Sequence, residues 1–324
     1  MRAIMAAEFG GPDVLELVEV DPPEPGPGQV VVEVAAIGVT WMDTRIRAGN
    51  GPTVFPVVPP FVPGSAVAGT VTALGADVAH HWLGTRLVTR AAGGYGGAYA
   101  DAVLADADPN SAFPIPAALN SVAAVALIDD GATALALVER AVVAPGDHVL
   151  VAPGLGGLGH LASQLARSAG AHVIAAVAGQ SKLTRARSLA DDAVDYSQAN
   201  WADQVRAITA DRGLDVVFDG IGGSIGTAAA ELLVDGGRFS GYGMASGSEA
   251  VLAQRDRQRL RVSDMRQLPE FWPESARRVR EVLTSAASGL LGPIIGRTYP
   301  LAEAAVAHAD IDARRFIGKL VLTP

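Results

Sequence analysis

The segment Gly154-Leu155-Gly156-Gly157-Leu158-Gly159 fits the pattern G-x-G-x-x-G, and its flanks constrain the fold more than any other feature. Alone, the pattern is cheap in a chain with 37 glycines. Here a short apolar run, His148–Val151, precedes it as a buried strand, and Leu158–Ala169 follows as a helix ending near Gly170. Strand, glycine turn and helix in that order open a doubly wound parallel sheet that holds a dinucleotide. Gly154 permits the tight turn, Gly156 lets the backbone approach a pyrophosphate, and Gly159 lets helix and strand pack closely. The helix start, with Gly157 and Leu158 in its first turn, offers free N–H groups and a positive partial charge to the anion.

The surrounding text supports that architecture. After the loop, strands at Ala171–Val177, Ala193–Tyr196, Leu214–Asp219 and Arg238–Gly243 alternate with helices at Ser181–Ala190, Trp201–Ala210 and Ile225–Val234. Ser181 is the expected cap of its helix. Before the loop, Leu119–Val143 reads as helical, with Pro145-Gly146-Asp147 as the break. The first part of the chain is β-rich, with strands expected at Val30–Ile37, Ala66–Leu74 and Thr85–Thr89. The stretch 52–63 carries five prolines and is neither regular helix nor central strand. At the end, 316–322 is a terminal strand able to return to the first domain. The expected division is a β-rich domain over 1–120, a doubly wound domain over 121–265, and a remainder over 266–324 that closes both.

The region after the second strand bears on the choice of dinucleotide. A site for NAD usually offers an acid at that strand end to accept from the ribose 2′-hydroxyl. No acid occurs between the glycine loop and Asp191. Ser181, Lys182 and Arg185 instead offer donors and positive charge, and Gly179 leaves the backbone accessible. A 2′-phosphate suits this set, so NADPH is the expected cofactor.

Composition excludes several alternatives. The chain has no cysteine, which removes disulfides, thiolate catalysis and cysteine-ligated metal. Its formal charge of −9 disfavours nucleic acid or an anionic membrane surface as partner. No apolar run reaches the ~18 residues of a membrane span. Glu8 and two glycines interrupt the start before a secretory apolar region builds, so a cytoplasmic location is expected.

Taken together, these segments resemble the medium-chain dehydrogenase/reductase superfamily, in particular its zinc-free quinone oxidoreductase (ζ-crystallin-like) branch. The resemblance rests on Gly38–Asp43, Pro63–Gly69, Gly93–Tyr99, Leu214–Asp219 with Gly222-Gly223, Tyr299–Ala305 and Gly318–Leu322, in that order along essentially the whole chain. It implies an α/β protein, with a GroES-like β-rich catalytic domain plus a Rossmann doubly wound parallel-sheet domain. It also implies NADPH and a homodimer. The zinc-dependent branch has Cys where Thr40 stands and His-Glu where Ser65-Ala66 stand, so no metal site is expected. The tandem His80-His81 reads as a solvated loop. The branch's pocket tyrosines near Arg45 and Gly51 are missing. Arg45 and Arg47 either make the pocket more polar or point to solvent.

Without zinc, the electrophiles that accept hydride are quinones and α,β-unsaturated carbonyls, whose conjugation spreads the developing charge. Three readings stand side by side: reduction of such a compound, reduction of an enoyl thioester or polyketide intermediate, and NADPH binding by a sensor without turnover. The candidate catalytic residues are Thr40, Asp43 and Tyr95, with Asp43 as a structural anchor and Tyr95, Tyr99 and Tyr242 as alternative donors. The resemblance adds Thr133, Tyr196, Gly222, Tyr242, Gly243 and Lys319 to the cofactor-binding set.

Overall fold

The computed structural model describes residues 1–263 and 272–324 of the chain. Two compact units result, Met1–Asp129 with Val279–Pro324, and Asp130–Arg278. The boundary expected at 265/266 lies outside the described residues.

The first unit begins with an antiparallel pair, β1 (Arg2–Ala6) and β2 (Leu15–Glu19). The β-branched run then forms β3 (Gln29–Val39), which is buried along most of its length. A short helix, α1 (Trp41–Arg47), follows directly. The chain continues through β4 (Ala66–Leu74), β5 (Arg86–Arg90), β6 (Ala102–Asp106) and β7 (Phe113–Pro114). His80–Trp82 is a 3-10 turn with both histidines exposed, matching the solvated reading rather than a strand. Next comes α2 (Ser121–Ile128), capped by the Asn120 side chain.

In the second unit the expected single helical stretch is broken. Asp129 ends α2, and α3 (Asp130–Ala141) starts immediately after it. At the break the Arg90 side chain donates to Asp129 at 2.6 and 3.0 Å, and Gly131 follows in the first turn of α3. The alternating series runs β8 (His148–Ala152), α4 (Gly157–Ser168), β9 (His172–Val177), α5 (Gln180–Ala186) and β10 (Asp192–Asp195). It continues with α6 (Trp201–Ile208), β11 (Leu214–Asp219), α7 (Gly223–Glu231), β12 (Leu233–Gly241), α8 (Gln254–Arg259) and β13 (Arg261–Ser263). The helix expected to reach Val234 stops at Glu231, because Leu233 pairs with Leu214 in the sheet. All pairings are parallel, in the order β10-β9-β8-β11-β12-β13. That is the 3-2-1-4-5-6 order of a Rossmann sheet. Its strands are buried on both faces, as parallel strands under helices must be, with Leu150, Ile174, Val194 and Val217 at the centre.

α9 (Ser275–Ala287) spans the boundary between the units. The chain then completes the first sheet with β14 (Ile295–Pro300), α10 (Ala304–Asp312) and β15 (Lys319–Thr323). β15 lies antiparallel to β3, with Leu320 opposite Val39 and Leu322 opposite Ile37. The sheet order is β14-β15-β3-β4-β5-β7, with β6 also on β3. Ile37, Val67, Leu87, Tyr299 and Leu320 share its core.

Candidate active site and dinucleotide site

The strand order of the second unit reverses between β8 and β11. Ligands of open α/β sheets bind beyond the carboxyl ends of the strands at such a point. The glycine loop leaves β8 there. Its three motif glycines differ in what they do. A Cβ on Gly154 would stand 2.6 Å from Ala175 Cβ, so this residue is a glycine because β9 passes so close. A Cβ on Gly159 would stand 2.0 Å from the Pro153 carbonyl oxygen, which sets the close helix–strand approach. A Cβ on Gly156 would meet only Pro153 atoms within 4 Å, the nearest at 3.3 Å. Gly156 is the N-cap of α4 and supplies no side chain to the helix start. Gly156, Gly157 and Leu158 are half-buried, whereas Gly154 and Gly159 are buried.

At the end of β9, Gly179 rather than Ser181 is the N-cap of α5, with φ of 91°. The expected Ser181 cap is therefore corrected: its side chain is exposed within the first turn. Lys182 is half-buried and Arg185 exposed on the same helix. The loop is held from the next strand by Asp195, which sequence reasoning did not single out. One Asp195 oxygen accepts from the Gly179 amide (2.9 Å), the Ser197 amide (3.0 Å) and the Ser197 hydroxyl (2.6 Å). Burial pushes this carboxyl up, but the Ser197 hydroxyl and the two amides outweigh it and hold the group below its ordinary range. Tyr196 is half-buried beside it, with its amide on Val177.

Beyond β11, buried Asp219 accepts from the amides of Ile221 and Gly222, both at 2.9 Å. Burial raises its pKa against those two bonds. Gly222 has φ of 70°. The Tyr242 ring lies over Gly220, and its hydroxyl donates to the Ala152 carbonyl at 3.2 Å. Burial raises the Tyr242 pKa as well. Its proton therefore serves the backbone of β8, and the residue is a wall rather than a free donor. Gly243 packs on the Gly220 backbone, and Thr133 is half-buried on α3.

In the first unit, Thr40 and Asp43 form a capping box. The Asp43 amide donates to Thr40 Oγ1 (3.1 Å), and the Thr40 amide donates to Asp43 Oδ2 (2.6 Å). The Thr-x-x-Asp spacing of Thr40 and Asp43 was a readable signal for this helix start. The Tyr95 hydroxyl donates to Asp43 Oδ1 at 2.6 Å. Burial raises the Asp43 pKa, while bonds from Tyr95 and Thr40 and the charge of Lys319 oppose the rise. Burial and the Asp43 charge both keep Tyr95 a neutral phenol. Lys319 is buried at the start of β15, and its charge also lowers the Asp129 pKa. Arg47 is only 3% exposed, so it does not point to solvent. Arg45 lies over the Trp41 ring, 5.6 Å from its centroid. Among the described residues, no group of three or more His, Asp or Glu is placed to hold a metal ion. Likewise, no single helix there is long and apolar enough to cross a membrane.

A family model described as the alcohol dehydrogenase GroES-like domain matches residues 26–117, and one described as zinc-binding dehydrogenase matches residues 190–322. A 2-haloacrylate reductase of a Burkholderia species is 33% identical over 99% of both chains. The chain belongs to the medium-chain dehydrogenase/reductase family. A second member, quinone oxidoreductase of Sus scrofa, is 30% identical over 99% of this chain and 97% of its own. Among solved structures of the family, Escherichia coli quinone oxidoreductase complexed with NADPH superposes with a TM-score of 0.88. It is 28% identical, and the match covers 100% of both chains.

Proposed function

We propose that the chain reduces a quinone or an α,β-unsaturated carbonyl compound with NADPH and without zinc. The observation that carries the reading is the bare helix start at Gly156, set at the switch point of the Rossmann sheet. The residues present fit the cofactor. Gly156, Gly157 and Leu158 at the start of α4 would hold the pyrophosphate through backbone amides. Ser181, Lys182 and Arg185 on α5 would hold the 2′-phosphate, with Gly179 and Tyr196 beside them. Thr133, Gly222, Tyr242, Gly243 and Lys319 complete the proposed cofactor set. NADPH, when bound, supplies the hydride.

The chain's own residues supply orientation and polarity. Thr40 Oγ1 accepts from the helix and keeps its own proton to donate to a substrate oxygen. Asp43 ties the start of α1 to Tyr95 and so anchors both. A conjugated acceptor needs no Lewis acid, because its developing negative charge is spread over several atoms. The names of two relatives, a quinone oxidoreductase and a reductase of 2-haloacrylate, support that substrate class. A homodimer and a cytoplasmic location are part of the same reading and rest on family resemblance.

The test is stopped-flow NADPH oxidation against 1,4-benzoquinone, 9,10-phenanthrenequinone, a simple enone, 2-chloroacrylate and crotonyl thioester. Turnover with a quinone or enone is expected. Tight NADPH binding with no turnover, or turnover of the thioester only, would refute the proposal.

A further inference from the structure

Behind Asp43 lies a buried polar chain that joins three elements of the first unit. The Tyr99 oxygen is 3.3 Å from Asp43 Oδ2 and 3.0 Å from His308 Nε2. His308 Nδ1 is 3.2 Å from Arg47 Nη1. Arg47 is itself fixed, with Nε on the Gly10 carbonyl (3.1 Å) and Nη2 on Asp312 (2.9 Å). Asp43, Arg47, Tyr99 and His308 are all 3% exposed or less.

The direction of the chain follows from donor chemistry alone. A guanidinium only donates, so His308 Nδ1 must accept. The ring proton then sits on Nε2 and goes to the Tyr99 oxygen. The Tyr99 proton is left for Asp43. A proton on Nδ1 would face the Arg47 donor in a desolvated site, where an unpaired donor costs most.

We infer that His308 is a positioning residue: locked by Arg47 as the neutral Nε2–H form, it turns the Tyr99 hydroxyl proton onto Asp43 and keeps that carboxylate charged. Asp43 in turn holds Tyr95 and the start of α1. Among the described residues, the charged or titratable groups that act on Asp43 are Tyr95 and Tyr99 from the β5–β6 connection and Lys319 from β15, while the Arg47 charge, from α1, acts on Tyr99. His308 and Asp312, from α10, stand behind Tyr99 and Arg47. The kinetic consequence rests on the reductase activity proposed above, whereas the tautomer does not.

Two readouts keep the two ideas separable. The first is the long-range 15N–1H spectrum of the histidine-labelled full chain. His308 is expected to show the Nε2–H pattern, unchanged from neutral pH down to about pH 5. An Nδ1–H pattern, or titration in that range, overturns the inference whatever the activity. The second is the pH profile of kcat for His308→Gln, His308→Leu and Tyr99→Phe. Gln places an acceptor toward Arg47 and a donor toward Tyr99, so it is expected within about twofold of the parent. Leu and Phe break the chain and are expected to raise the midpoint of the acid limb by about one pH unit, with the KM for NADPH unchanged. Tyr99→Phe keeps the ring and decides the matter if His308→Leu fails to fold. An acid limb that Tyr99→Phe leaves unmoved, or equal profiles for the Gln and Leu variants, overturns the inference. A parent chain with no turnover overturns the reductase reading and leaves the spectrum to judge the tautomer.

Discussion

The Tyr95 hydroxyl and the Thr40 amide each donate to a different oxygen of Asp43, both at 2.6 Å. One buried carboxylate thus joins a loop residue to a helix start, and replacing it separates two effects. Asp43→Ala removes half of the capping box and leaves the Tyr95 and Tyr99 hydroxyls without their acceptor. A loss of roughly 2–4 kcal/mol is expected in denaturant unfolding, the sum of a lost cap and orphaned buried hydroxyls. Asp43→Asn keeps one acceptor oxygen and is expected to lose about half as much. Equal stability of the parent and the Ala variant would remove the anchoring role.

The glycine loop offers a contrast between folding and binding. Gly159→Ala drives a methyl group into the Pro153 carbonyl, and a loss of about 1–3 kcal/mol is expected. Gly156→Ala meets only Pro153, so its melting temperature is expected to stay close to that of the parent. Its NADPH affinity is expected to fall about tenfold or more, since the methyl stands where the backbone would meet the pyrophosphate. Isothermal titration and thermal melts on both variants check the crossover.

Selectivity for the phosphorylated cofactor is expected to reside on α5. Lys182→Ala is expected to weaken NADPH about tenfold, the scale of one charge-assisted bond, and to leave NADH nearly unchanged. Parallel fluorescence titrations of both cofactors measure the ratio. Equal affinity of the parent chain for the two would sink the phosphate argument.

His308 predicts how stability depends on pH. Burial, with the Arg47 charge added, lowers its pKa from 6.5 to about 3. Between those values the unfolded chain takes up a proton that the folded chain refuses. Stability therefore rises with pH across that window, is complete above 6.5, and falls on acidification by at most about 1.4 kcal/mol per pH unit from this group. His308→Gln cannot titrate. The parent is expected to lose more stability than this variant between neutral pH and about pH 4.5, by urea unfolding at each pH. Parallel pH curves for the two proteins would show that His308 takes up its proton as readily in the folded chain as in the unfolded one.

Much of the doubly wound unit was legible because its signals are local. The apolar run Leu214–Asp219 became β11 with the expected bounds, and in the first unit the same kind of local signal made Ala66–Leu74 β4. The packing demands on the glycines were half readable: the close approach at Gly159 follows from the motif, but the demand on Gly154 comes from Ala175 in the next strand. What stayed hidden depends on distant partners. Asp129, at the helix break, is paired with Arg90, 39 residues earlier. His308 sits in an alanine-rich helix where one histidine looks like ordinary core, and its Arg47 partner is 261 residues away. No window of sequence holds both. The Ser181 cap failed for a local reason, because Gly179 two residues earlier adopts the positive φ that starts the helix.

The pairing of β15 with β3 has a consequence for synthesis. Val39 leaves the ribosome long before its neighbour Leu320, which is encoded about 280 residues later. At ordinary elongation rates that interval is on the order of tens of seconds. Throughout it, the Ile37–Val39 end of β3 lacks its β15 neighbour, although β6 already covers Gln29–Glu33 on β3, and a bare edge invites pairing with foreign strands. The Rossmann unit, encoded wholly in between, can complete its sheet first. Birth order and fold order are thus inverted in this chain, and its first unit is the one that waits.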